Sequence, residues 1–241
     1  MNMDDKIVKL KEIIANSNNI VVMTGAGVST LSGIPDFRSK DGLYNMKYKY
    51  DPEEILSHHF FMNNTEEFYE FYRDKMNSLD KLPNILHEYL AKLEEMGKLE
   101  MIITQNIDGL HTRAGNKKVI ELHGSILNNY CMKCHKYYDA NYVFNSEEVP
   151  KCSCGGIIKP DVVLYEEALK EEDINNTISS LNKADTLLVI GTSLLVYPAA
   201  SFVGYFRGNN LVIINNDKTN YDKMATLVIN DDIFEVTKKL M

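Results

Sequence analysis

Five short apolar runs, residues 20–23, 101–104, 186–190, 211–214 and 226–229, recur along this chain with helix-patterned stretches between them. A strand buried on both faces reads as a continuous run of aliphatic residues. Such runs separated by helices predict a parallel sheet covered on both sides. The expected class is therefore α/β, a Rossmann-like doubly wound parallel sheet. Among the intervening segments the clearest helix covers residues 83–96. Pro83 suits its first position, Ile85, Leu86, Tyr89, Leu90 and Leu93 make one apolar stripe, and Gly97 stops it. That stripe belongs to the core.

Two stretches, about 39–79 and 130–158, break the alternation and read as insertions that build a smaller lobe. The expected organisation is one unit over residues 1–241. Its core comes from about 1–38, 80–129 and 159–241, with a cleft between core and lobe. At 241 residues and 44% hydrophobic content the chain is long enough for both.

The second insertion contains all four cysteines of the chain, Cys131 and Cys134 in a Cys-x-x-Cys pair and Cys152 and Cys154 in a Cys-x-Cys pair. Two close thiol pairs can converge on one tetrahedral ion with ligands about 2.3 Å from the metal, which predicts a structural zinc ribbon. The alternative is buried thiols or two disulfides. Against it, the cysteines cluster, and no charged-then-apolar leader directs the chain to an oxidising compartment. His135, beside Cys134, is a rival ligand. Four sulfur ligands leave no position for water, so the metal should hold the fold and the chemistry should lie elsewhere.

The apolar stretch 186–200 contains Gly191, Thr192, Ser193 and Pro198 and falls short of the ~20 residues that span a bilayer. A cytoplasmic protein with no membrane partner is the expectation. The net charge of −8 disfavours binding to nucleic-acid phosphates and favours cationic partners such as lysine-rich peptides.

The first apolar run leads into Gly25-Ala26-Gly27-Val28-Ser29-Thr30. In an α/β sheet this position cradles a phosphate on backbone amides and a helix N-terminus. Thr30 stands where a third glycine would complete the dinucleotide fingerprint, so a tight strand-to-helix turn remains an alternative. Next comes Gly33-Ile34-Pro35-Asp36-Phe37-Arg38-Ser39, an acid, an aromatic ring and a guanidinium side by side. Those groups suit a nicotinamide-type ring and its charged tether. Three more polar patches follow apolar runs, at Thr104-Gln105-Asn106-Ile107-Asp108, Gly191-Thr192-Ser193 and Asn215-Asn216-Asp217. Open α/β sheets bind ligands at the carboxyl ends of their strands, and four patches there suggest one large polar ligand.

These segments, together with Glu121-Leu122-His123-Gly124, the two cysteine pairs and Lys159-Pro160-Asp161-Val162-Val163, resemble the sirtuins in family order over nearly the entire chain. Sirtuins are NAD-dependent protein lysine deacylases. The resemblance implies that Gly25, Ala26, Thr30, Phe37 and Arg38 line the phosphate and nicotinamide region of NAD. It places Gln105, Asn106, Ile107 and Asp108 around the nicotinamide ribose and carboxamide, and Thr192, Ser193, Asn215 and Ile233 at the adenosine end. His123 would be the general base, with Asn106 and Asp108 beside it in the catalytic set, because a histidine can accept a ribose hydroxyl proton near neutral pH. Without the flanking motifs His123 would read as a hydrogen-bonded core histidine. The other histidines read as surface or helix-capping groups.

Val162, Val163 and Leu164 would present the acetyl-lysine peptide by strand addition. Family members often carry Phe-Phe-Gly-Glu after the valine. Here the segment is Leu164-Tyr165-Glu166-Glu167, which puts the backbone at Glu166 in question. Sirtuins that prefer succinyl- or malonyl-lysine present a Tyr-x-x-Arg pair. Here a tyrosine, Tyr72, stands at the arginine position, and Arg73 falls one residue late, about 100° further round the helix. Uncharged acyl groups, acetyl first, are expected, with nicotinamide and O-acetyl-ADP-ribose as the other products. The rivals are mono-ADP-ribosyl transfer, an NAD or nucleotide sensor with a docking ribbon, and a zinc-ribbon nucleic-acid module.

Overall fold

The computed structural model describes residues 2–37, 42 and 49–241. The chain opens with helix α1 (Met3–Asn16), where the Asn2 side chain accepts the Asp5 N–H at 2.9 Å, an N-cap. Strand β1 (Ile20–Thr24), buried at every residue, follows. Two single 3₁₀ turns, Ala26–Val28 and Thr30–Ser32, come next in place of the long helix that a phosphate loop would open. Gly33, with φ +80°, stops the second turn.

Three short helices, α2 (Pro52–Ile55), α3 (His58–Asn63) and α4 (Thr65–Lys75), precede α5 (Ile85–Glu95). Helix α5 starts two residues later than the proline suggests. Asn84 caps it by accepting the Leu86 N–H at 3.0 Å, and His87 Nδ1 accepts the Asn84 N–H in return. A reciprocal cap of this kind fixes a helix start better than a proline can, so Pro83 lies outside.

Strand β2 (Leu99–Thr104), helix α6 (Leu110–Arg113) and strand β3 (Val119–Glu121) complete the first half. The small sheet then takes up β4 (Gly124–Cys131), β5 (Tyr137–Asp139) and β6 (Ile158–Val162), with α7 (Ala140–Phe144) between the last two. The chain returns through α8 (Glu171–Lys183), β7 (Thr186–Ile190), β8 (Asn210–Ile214), β9 (Leu227–Ile229) and α9 (Ile233–Leu240).

The main sheet is parallel throughout in the order β3-β2-β1-β7-β8-β9. Alternate residues serve opposite faces. Ile20, Val22, Ile102, Leu188 and Val212 pack with residues of α1, α5 and α9, whereas Val21, Met23, Ile103, Leu187 and Leu211 pack with Leu181 of α8 and Phe202 of the Ala199–Tyr205 turn. Burial on both sides is why the strands read as unbroken apolar runs. From β1 the chain goes to β2 on one side and comes back to β7 on the other, so the strand order reverses between β1 and β7. A crevice forms there, outside the carboxyl ends.

A third core joins Phe60, Phe61, Phe68, Tyr69 and Tyr72 of α3 and α4 to Cys131, Val143, Phe144 and Ile158 around the antiparallel sheet β5-β4-β6. Among the described residues no helix is long and apolar enough to cross a membrane.

Candidate active site and metal centre

Loops at the carboxyl ends of β1, β2, β7 and β8 converge on one cavity of about 460 Å³, within the size range of cofactor pockets. The loop after β1 lies directly against the one after β7. A Cβ on Gly25 would stand 2.6 Å from Thr192 Cβ, so only glycine permits this approach. Gln105 Nε2 donates to Thr192 Oγ1 at 3.1 Å and thereby ties the end of β2 to the end of β7.

Behind this wall lies a buried polar chain. Asn106 Nδ2 donates to Ser29 Oγ at 3.0 Å, Ser29 Oγ donates to Asp108 Oδ2 at 2.7 Å, and Asp108 Oδ1 accepts the Leu110 N–H at 2.9 Å. Each group is thus fixed in one orientation.

His123 follows β3, whose place beside β2 is extended by the Leu122 N–H donating to the Thr104 carbonyl at 2.9 Å. Its Nδ1 lies 2.9 Å from the Gln105 carbonyl. A carbonyl only accepts, so Nδ1 carries the hydrogen and Nε2 is the basic nitrogen. Burial lowers the pKa of His123, and the Gln105 contact opposes that in part. The ring is therefore neutral at neutral pH, as a general base requires. Close by, burial and repulsion from Asp108 push the Glu121 carboxyl up to about 7.

The cavity brings together Gly25, Ala26, Thr30, Phe37, Gln105, Asn106, Ile107, Asp108 and His123. It is also lined by Thr192, Ser193, Asn215 and Ile233, and on the small-sheet side by Val162, Val163 and Leu164. Arg38 lies outside the described residues. The sequence motifs contained Ser29 without giving it a role. Its signal was there, a hydroxyl one turn beyond the glycines, but the partners that define it lie 77 and 79 positions away.

The backbone N–H groups of Val163, Leu164 and Tyr165 are already bonded, to the His123 carbonyl, Glu167 Oε2 and the Leu56 carbonyl. Glu166 adopts φ +74°, the left-handed region, and its Oε2 accepts the His59 N–H at 2.9 Å. The backbone thus keeps a glycine-like conformation with a glutamate in place, held by that side-chain bond. His87 and His111 are a correction to the surface assignment. They are 0% and 2% exposed, with rings 4.7 Å apart, and His87 both caps α5 and is buried.

The four cysteine sulfurs lie within 4.8 Å of one another, with Cys131–Cys154 and Cys134–Cys152 at 3.5 Å and Cys134–Cys154 at 3.4 Å. A tetrahedron with arms of about 2.3 Å has edges of roughly 3.8 Å, whereas a disulfide bond is about 2.05 Å. The arrangement fits a Cys₄ zinc ion and excludes two disulfides. Backbone N–H groups of Lys133 and Cys134 point at Cys131 Sγ from 3.4 and 3.5 Å, the support a bound thiolate needs. His135 is not in the cluster. It sits exposed at φ +58°.

A family model described as the Sir2 family matches residues 25–198. An NAD-dependent protein deacetylase of Clostridium perfringens is 58% identical, covering 99% of this chain and all of that protein. One of Clostridium acetobutylicum is 57% identical over 98% of both. A solved structure of Sir2 with a p53 peptide and NAD+ aligns with a TM-score of 0.89 at 39% identity, covering 100% of this chain and 98% of the other. With the crevice at the strand reversal, the neutral histidine and the four-sulfur centre all in place, this chain belongs to the Sir2 family.

Proposed function

We infer that this protein is an NAD-dependent protein lysine deacetylase acting on acetyl-lysine peptides. The observation that carries the assignment is His123, a neutral imidazole whose Nδ1 is tied to the Gln105 carbonyl at 2.9 Å, beside the Asn106–Ser29–Asp108 chain in one cavity. The polar side chains at four strand ends and the strand-reversal crevice fit NAD. When bound, NAD supplies a ribose carbon that parts from nicotinamide and accepts the acyl oxygen.

The chain's own residues do the rest. His123 Nε2 takes a proton from a hydroxyl held beside it, and the Gln105 carbonyl stabilises the resulting imidazolium through Nδ1–H. Asn106 and Asp108, immobilised through Ser29, order the polar groups around that hydroxyl without reorganising during the reaction. Gly25, Ala26, Thr30, Phe37 and Arg38 hold the phosphate and nicotinamide portion, with Gln105 and Ile107 near the carboxamide. Thr192, Ser193, Asn215 and Ile233 hold the adenosine portion. Val162, Val163 and Leu164 flank the peptide. The zinc ion on Cys131, Cys134, Cys152 and Cys154 supplies no chemistry and holds the small sheet in shape. Residues about 39–79 and 130–158 form the smaller lobe, and about 1–38, 80–129 and 159–241 form the core.

The test is to incubate the protein with an acetyl-lysine peptide, with and without NAD, and follow all species by mass spectrometry. Free lysine peptide, nicotinamide and O-acetyl-ADP-ribose should appear together and only with NAD. Nicotinamide release with an ADP-ribose adduct and no deacetylation would overturn the assignment in favour of ADP-ribosyl transfer.

A further inference from the structure

The segment that leaves β6 carries two glutamates side by side, Glu166 and Glu167, and the fold uses them differently. Glu167 is consumed internally. Its Oε2 accepts the Leu164 N–H at 2.9 Å and Lys159 Nζ at 3.0 Å, and its Oε1 accepts from His58 Nδ1 at 2.8 Å, so it pins the segment to α3 and β6. Glu166 is exposed and lines the cavity beside Val162, Val163 and Leu164. The His59 N–H fixes its Oε2, whereas among the described residues its Oε1 has no hydrogen bond and its charge no cation. The cations before and after the segment, Lys159 and Lys170, are paired with Glu167 and with Asp161. Lys75, which also reaches the cavity, is paired with Asp74.

The backbone singles out the same residue. The N–H groups of Val163, Leu164, Tyr165 and Glu167 are all bonded within the chain, and among the described residues that of Glu166 is not. A peptide extended along this wall therefore meets its free amide at Glu166, and its side chains pass the carboxylate. Glu166 also holds φ +74°, a conformation that costs a residue with a Cβ and costs glycine nothing. A strained residue kept at the edge of a cavity points to a side chain that the site uses.

We propose that Glu166 is a specificity-determining residue for the peptide, its carboxylate pairing with a lysine or arginine that flanks the acetyl-lysine. The favoured substrates are then acetyl-lysines in basic stretches, and an acidic neighbour is repelled. This rests on the deacetylase reading above. Lost rotamer freedom weakens most exposed ion pairs, and here one carboxylate oxygen is anchored before the peptide arrives.

The test uses one acetyl-lysine peptide with arginine, alanine or glutamate at each flanking position in turn, NAD, and the zinc-loaded wild type, Glu166→Gln and Glu166→Lys. Glutamine keeps an oxygen for the His59 N–H and removes only the charge. The wild type should favour arginine over glutamate in kcat/KM by roughly threefold to tenfold at one flanking position or more, the range for one exposed ion pair set against one repulsion. The difference should lie in KM, because a flanking contact is the same before and during the reaction. It should shrink in about 0.5 M salt, which screens the pair. Glu166→Gln should bring the ratio close to one, and Glu166→Lys should invert it. A wild type indifferent to flanking charge overturns the proposal, as does an arginine preference that survives in Glu166→Gln or is expressed in kcat alone. If the alanine peptide is deacetylated and one of those results appears, only this proposal fails; if no peptide is processed with NAD, the deacetylase reading fails with it.

Discussion

Replacing Ser29 by alanine removes a single oxygen that serves two partners. The side chain is 1% exposed, it accepts from Asn106 Nδ2 at 3.0 Å and it donates to Asp108 Oδ2 at 2.7 Å. The variant leaves an amide hydrogen and a carboxylate oxygen unpaired in residues only 9% and 7% exposed. A neutral hydrogen bond is worth about 1 kcal/mol and one to a charged group about 1.5–3 kcal/mol, so the loss should be roughly 2–4 kcal/mol. For a domain of this size each kcal/mol moves Tm by about 2–4 °C, so the expected fall is roughly 5–15 °C. Asp108 keeps the Leu110 N–H, which anchors one oxygen and confines the damage to the Asn106 side. Thermal melts of the zinc-loaded protein without NAD measure the first effect. Steady-state deacetylation measures the second, a fall in kcat/KM of up to about a hundredfold as Asn106 loses its orientation. A Tm within about 1 °C of wild type together with kcat/KM within twofold would refute the claim that Ser29 organises the site.

Cys131→Ala should lower zinc content, measured by mass spectrometry of the native protein, and Tm together; unchanged metal stoichiometry would contradict the ligand set. Gly25→Ala forces a methyl to within 2.6 Å of Thr192 Cβ and should cost about 1–3 kcal/mol and weaken NAD binding in calorimetry, whereas wild-type values for both would show that the two loops are free to separate. Because burial lowers the pKa of His123 and only its neutral form accepts a proton, the acid limb of the kcat/KM profile should have its midpoint below 6.5; a midpoint above 6.5 counts against His123 as the base. Burial also depresses His87 to about 4 and His111 to about 3, so through these two groups the unfolded chain binds more protons than the folded one below 6.5, an excess that Glu121, raised to about 7, offsets in part. Stability should therefore fall as pH drops from about 6.5 toward 4, by on the order of 1 kcal/mol per pH unit, and denaturant titrations at stepped pH would expose a flat profile as a failure of this reasoning.

The main sheet was legible because burial on both faces leaves a local trace, an unbroken apolar run, and residues 186–190 coincide with β7 to the residue. Strand β3 left none: three residues, Val119–Glu121, give no periodicity to read. The cysteine centre was legible from spacing, which is local chemistry. The site was legible only in its types of residue. That Asn106, Ser29 and Asp108 form one chain, or that Glu166 and Glu167 play different parts, depends on contacts between segments far apart in sequence. The start of α5 shows the same limit on a smaller scale, since Pro83 and Asn84 both signal a beginning and only the return bond from His87 decides between them.

Gln105 gives the molecule a division of labour. Its side chain grips Thr192 across the strand reversal, its N–H bonds the Thr24 carbonyl, and its carbonyl holds His123. The imidazole is therefore surveyed in from two directions, its ring by the main sheet and its backbone carbonyl by the Val163 N–H just past β6 of the small sheet. Exposed Tyr130 and Tyr137 pair at the opposite end of β4 from His123, so substitutions there leave both anchors in place.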